Sequence, residues 1–104
     1  MIELIIRERI YKDTKLTLDC LGSKIGMNSK YISKLINLHK GVNFNDFINN
    51  LRVEEFKKNI KKEEYKGYSI LGVALESGFS SKSTFYKAFK KNEDMSPKEY
   101  LKSI

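Results

Sequence analysis

The chain has 104 residues, 40% of them hydrophobic and 32% charged, with one proline and six glycines. That composition folds, and the length suffices for one small domain with a modest core. The net charge of +7 points to a polyanionic partner. The single cysteine, Cys20, excludes an internal disulfide and a cysteine-cluster metal site.

No apolar run approaches the roughly 18 residues of a membrane span. The opening MIELII is too short for a signal-peptide core and is followed by Arg7 and Arg9, so a cytoplasmic, nucleoid-associated protein without membrane contact is expected. Strand signals are weak, and helical periodicity recurs along the chain. Ile2, Ile5, Ile6 and Ile10 form the stripe of a first helix, which YKDTKLT breaks. Thr17 caps a short helix carrying Leu18, Leu21 and Ile25, with Asp19 in the first turn where the helix dipole favours negative charge. Gly26 ends it. Asn28 caps the next, whose stripe is Ile32, Leu35 and Ile36, and Gly41 ends that one.

Asn43 caps a longer segment with Phe44, Phe47, Ile48, Leu51, Phe56 and Ile60, predicted over 44–61. KKEEYKGY is a polar link. Ser69 caps a helix with Ile70, Val73 and Ala74, closed by Gly78; Ser81 caps the helix of Phe85, Ala88 and Phe89. Ser96-Pro97 opens the last, with serine at N-cap and proline at N1. The expected fold is all-α, with seven helices and short connections.

The chain contains a duplication. At an offset of 53, Asn28 pairs with Ser81, Ile32 with Phe85, Lys34 with Lys87, Leu35 with Ala88 and Ile36 with Phe89. Upstream the offset is 52, because the second turn has one extra residue; there Leu21 pairs with Val73, Gly22 with Ala74 and Gly26 with Gly78. Two helices joined by a short glycine-containing turn form the DNA-binding helix-turn-helix unit. The expected organisation is a single DNA-binding domain over 1–104. Its parts are a first unit over 1–43, a connecting helix over 44–61 and a second unit over 62–104.

With Ile32 at 0° and a step of about 100° per residue, Leu35 and Ile36 lie beside it, and Lys30, Ser33, Lys34 and Asn37 lie opposite. The same wheel exposes Ser83, Tyr86, Lys87 and Lys90 in the second unit, with Lys82 on the flank. Neither face carries an acidic residue, which suits phosphates and base edges. Lysine and hydroxyl side chains can reach bases, but without the bidentate geometry of arginine or glutamine. The connecting helix, about 18 residues at ~1.5 Å each, would hold the units roughly 27 Å apart. Successive major grooves on one DNA face lie ~34 Å apart, so both recognition helices could read one duplex face.

These motifs resemble the DNA-binding domain of AraC/XylS-type bacterial transcription regulators. SILGVALESGFSSKSTFYKAFKK followed by MSPKEY resembles the family signature; LTLDCLGSKIGMNSKYISKLI and NFNDFINNLRVEEFKKNI resemble its first unit and connector. The resemblance covers residues 2–102 and implies an all-helical, homeodomain-like double helix-turn-helix that binds promoter DNA, with no enzymatic activity and no cofactor or metal. It implies that the third and sixth helices face the bases. By position those are Lys30, Ser33 and Lys34, and Lys82, Ser83, Thr84 and Lys87; with the exposed faces, the candidate DNA-binding residues are Ser29, Lys30, Ser33, Lys34 and Asn37 in the first unit. In the second they are Lys82, Ser83, Thr84, Tyr86, Lys87 and Lys90. Arg52 either contacts a phosphate or braces the connector by a salt bridge. Family members commonly carry an upstream sensing or dimerisation domain, so the chain is an excised output domain or a stand-alone regulator.

The sequence departs from the family pattern at Gly22, usually alanine, at Asp94, usually glycine, and at Leu101, commonly arginine. His39 has no partner for a triad or metal site and is expected to be exposed near a helix end; Cys20 is expected to be a partly exposed, inert thiol. Glu54, Glu55, Glu63 and Glu64 are expected on solvated faces beside lysines. Tyr31, Tyr65, Tyr68 and Tyr100 are expected to pack, and Tyr86 to be exposed. The competing functional reading is a helical protein-interaction module contacting RNA polymerase or a sensor domain. Single-strand or RNA binding is disfavoured because the aromatics sit mostly at buried spacing.

Overall fold

The computed structural model describes residues 1–104 and contains seven α-helices and no strand. They are α1 (Ile2–Arg7), α2 (Leu18–Ile25), α3 (Ser29–Lys40), α4 (Phe44–Asn59), α5 (Ile70–Glu76), α6 (Lys82–Glu93) and α7 (Pro97–Ser103). Short 3-10 turns, Ile10–Lys12 and Glu63–Tyr65, precede α2 and α5.

The helix starts follow from local side-chain chemistry. An oxygen of Thr17, Asn28, Asn43, Ser69 and Ser81 accepts a backbone N–H in the first turn of α2, α3, α4, α5 and α6. At α7 the bond is reciprocal: Ser96 Oγ accepts from Glu99 N at 3.2 Å, and Glu99 Oε1 accepts from Ser96 N at 3.1 Å. Each such cap contributes about 1 kcal/mol, because it satisfies a donor the helix itself cannot.

Three boundaries differ from the sequence reading. Ile10 is not part of α1: Arg9 turns left-handed at φ 52°, and Ile10 enters the separate 3-10 turn. The connector stops at Asn59, where Lys61 N and Lys62 N bond back to Lys58 and Asn59 in tightened turns. Sixteen residues then span roughly 24 Å rather than 27 Å. Helix α5 ends at Glu76 with Ser77 as its cap, leaving Gly78 (φ 114°) in the turn proper.

Helix α4 is shared by two cores. Its first half places Phe44, Phe47 and Ile48 among Ile5, Ile10, Tyr11, Leu21, Ile32 and Ile36. Its second half places Val53 and Phe56 among Val73, Ala74, Phe79, Phe85, Ala88, Phe89 and Tyr100. The α2–α3 and α5–α6 hairpins therefore pack on successive halves of one rod.

A polar face of the same rod is buried between them: Arg52, Glu55 and Asn59. Arg52 Nε donates to the Tyr11 carbonyl at 2.6 Å and a terminal guanidinium nitrogen to the Asp13 carbonyl at 2.8 Å. Tyr11 in turn donates its hydroxyl to Glu55 at 2.9 Å, and Arg9 lies 3.7 Å from the same carboxylate. Gly78 closes the junction from the second unit, where a Cβ would fall 2.5 Å from the Tyr11 carbonyl oxygen and 2.9 Å from Arg52 Nε.

Candidate nucleic-acid interface

The two caps aim α3 and α6 so that their apolar stripes, Ile32 and Ile36 in one and Phe85, Ala88 and Phe89 in the other, face the cores. The opposite sides reach solvent. On α3, Lys30, Lys34 and Asn37 are exposed, while Ser29 and Ser33 are half-buried. On α6, Lys82, Ser83, Thr84, Lys87 and Lys90 are exposed. The first acidic residue of either helix is Glu93, in the last turn of α6, where it is held by Lys57 at 3.0 Å. That bond raises the Lys57 pKa and leaves the Glu93 carboxylate paired.

Several side chains stand where the sequence did not put them. Tyr86 is half-buried, its ring 5.3 Å from Phe85 and the Lys82 ammonium 5.7 Å from its centroid. Tyr31, expected to pack, is 54% exposed, and Tyr68 is exposed as well. The helical wheel misleads here because Tyr86 packs against the second core beside Phe85, whereas Tyr31 is left bare.

Arg52 braces the connector, but through backbone carbonyls and not through the expected salt bridge. It is 8% exposed, and its guanidinium is occupied by two backbone carbonyls, so it is not available to a phosphate at the surface. Burial lowers its pKa, partly countered by the charge of Asp13. Glu55 is likewise buried, not solvated, and accepts from Tyr11. Tyr11 is pushed up to about 12, first by burial and then by that bond. Glu54 and Glu63 do lie on solvated faces, 3.6 Å from Lys57 and 3.9 Å from Lys66. His39 and Cys20 are exposed, His39 in the last turn of α3.

The structure also brings together residues the sequence reading did not connect. Thr84 and Lys87 of α6 share a polar cleft of about 310 Å³ with Asp46, Asn49 and Asn50 of α4 and with Lys91. The only sequence trace of it is the run of polar residues in NDFINN, unusual in a helix with two core faces.

A family model described as a helix-turn-helix domain matches residues 21–103. An HTH-type transcriptional regulator of Staphylococcus aureus (strain COL) is 33% identical over 85 residues, which make up 82% of this chain and 11% of that protein. The chain thus spans a small part of the length of the curated relatives it matches first. Among solved structures, the C-terminal domain of the two-component response regulator yesN from Fusobacterium nucleatum aligns at TM-score 0.71 and 29% identity, covering 95% of this chain and 92% of that one. A Listeria innocua protein of unknown function aligns at TM-score 0.81 and 24% identity, covering 99% and 96%, a likeness of fold alone. The chain belongs to the AraC-type helix-turn-helix family, a DNA-binding domain of transcription regulators and not an enzyme.

Proposed function

We propose that this chain binds duplex DNA sequence-specifically, placing α3 and α6 in adjacent major grooves, as the output domain of a transcription regulator. The supporting observation is the pairing of two equivalent helices, each with its apolar stripe buried and a basic, hydroxyl-bearing face open to solvent. Lys30, Lys34 and Asn37 would work the first groove, with Ser29 and Ser33 at their base. Lys82, Ser83, Thr84, Lys87 and Lys90 would work the second, with Tyr86 supporting Lys82. In this reading 1–104 acts as one DNA-binding domain, and sensing or dimerisation belongs to a separate domain of the regulator.

Selection of duplexes from a random library tests the reading. It should return a site with two half-sites about one helical turn apart, and the half-sites should differ, since Lys30 in α3 corresponds to Ser83 in α6. Affinity should fall steeply with salt, each neutralised phosphate adding about 0.9 to the log–log slope. Lys34→Ala and Lys87→Ala should each weaken binding by roughly 1–3 kcal/mol and relax selection in opposite half-sites. No enrichment, and no gel shift at low salt, would favour the protein-interaction reading instead.

A further inference from the structure

We infer that the cleft between α4 and α6 is a phosphodiester site, and that Asp46 restrains it by holding Lys91. This rests on the two-groove reading above. Helices in successive major grooves bracket one minor groove, and the phosphate strands flanking that groove must cross the protein surface between the two helices. The connector α4 and the adjoining side of α6 make up that surface. There the cleft opens, lined by Asp46, Asn49, Asn50, Thr84, Lys87 and Lys91, with Ala88 as its floor.

The lining has the chemistry of a diester anion. Thr84 offers a hydroxyl, and its own oxygen already accepts from Ser81 Oγ at 3.0 Å, which leaves the proton free to point outward. Lys87 supplies a cation and the two asparagines supply neutral N–H donors, so one phosphate can be gripped without a bidentate arginine. The side-chain hydrogen bond that crosses the cleft runs from Lys91 Nζ to Asp46 Oδ2, at 2.9 Å. Asp46 is thus the one carboxylate facing the site, and it occupies the cation best placed to add a second charge contact. The first unit has no counterpart: the positions equivalent to Thr84 and Lys91 are Tyr31 and Leu38, both exposed. The cleft is a property of the second unit packed on the connector.

The test uses the whole chain and a selected duplex in which each phosphate between the half-sites is replaced in turn by a neutral methylphosphonate. One or two replacements should weaken the wild-type chain about ten-fold, the scale of one charge-assisted hydrogen bond. Asn49→Asp/Asn50→Asp should bind the unmodified duplex about ten-fold more weakly and lose little more on the sensitive duplexes. Asp46→Asn should bind more tightly, with a salt slope steeper by about 0.9 as Lys91 is released to a phosphate. Asp46→Asn/Lys91→Ala should lose that gain. Thermal melting of each free protein separates binding effects from unfolding, and Asp46→Asn, a near-isosteric change at a half-buried position, decides the matter if Asn49→Asp/Asn50→Asp does not fold. The cleft assignment fails if no phosphate between the half-sites matters, or if the Asp46→Asn slope is unchanged, while Lys34→Ala, outside the cleft, still weakens binding. Absence of any selected site in the wild-type chain would instead overturn the reading beneath it.

Discussion

The first unit packs Leu21, Ile32 and Ile36 where the second packs Val73, Phe85 and Phe89. Around Phe85 and Phe89 the second core adds Phe56, Phe79 and Tyr100, with ring centroids 4.8–5.9 Å apart in tilted and edge-on contacts. The turns differ in step. In the first, Met27 is half-buried and Gly22 lets the turn fold tightly against α2; in the second, Phe79 is fully buried from a turn one residue longer, and Ala74 replaces the glycine. Two core chemistries thus support one helix-turn-helix geometry. On the outward faces the exposed lysines stand clear of either core, whereas Tyr86 leans on Phe85.

The sharpest probe of that difference is a matched pair. Phe85→Ala should cost about 3–5 kcal/mol in denaturant unfolding, because one ring touches Phe56, Phe79, Tyr86 and Phe89. Ile32→Ala, at the equivalent place, should cost less, about 2–4 kcal/mol, since an aliphatic core collapses better around a smaller void. Equal costs would mean that the aromatic cluster contributes only its area.

Next in size is the junction that couples the units. Arg52→Ala leaves the carbonyls of Tyr11 and Asp13 without their donors and should cost about 3 kcal/mol. Arg52→Lys should recover little of it, since one ammonium cannot match the two-pronged geometry. If the junction also sets the angle between units, Arg52→Ala should broaden the half-site spacings the chain accepts, a readout that a simple loss of stability does not move.

Much of this architecture was legible because it is local. A serine, threonine or asparagine before an apolar stripe caps a helix through bonds spanning two or three residues, and all six predicted caps form. The duplication was legible because it repeats such signals at a fixed offset. What escaped depends on contacts far apart in sequence. Arg52 and Tyr11 meet over 41 residues, so the sequence left phosphate contact and brace open. Glu55 reads as a solvated helix residue until Tyr11 and Arg9 cover it. The exposed lysines of the candidate interface follow from helical phase alone, whereas the cleft with Asn49 and Asn50 exists only because α6 lies against α4.

A smaller substitution tests the turns. Family members usually carry alanine where this chain has Gly22, and alanine is the better helix former by about 1 kcal/mol. Here a Cβ would fall 2.6 Å from the Met27 carbonyl oxygen, a backbone atom that cannot swing aside. Gly22→Ala should therefore destabilise, by about 1–2 kcal/mol net of the propensity gain. Inserting one residue after Met27, to copy the longer second turn, should turn the same substitution neutral or favourable.

The smallest expected effect lies at the end of α6. The family's usual glycine is Asp94 here, and the structure reaches the helix cap in the same way regardless: Asp94 sits left-handed at φ 58°, its N–H bonded to the Lys90 carbonyl at 2.8 Å. Gly41, the equivalent residue of the first unit, adopts φ 70° without a side chain to strain. Aspartate tolerates this region better than most residues but not freely, so Asp94→Gly should stabilise the chain by about 0.5–1 kcal/mol after the entropy that glycine adds to the unfolded state. Gly41→Asp, the reverse exchange, should cost a similar amount. Opposite signs of similar size in thermal melts would show that the two caps are energetically equivalent and that the units differ in their cores and turns, not in how their recognition helices end.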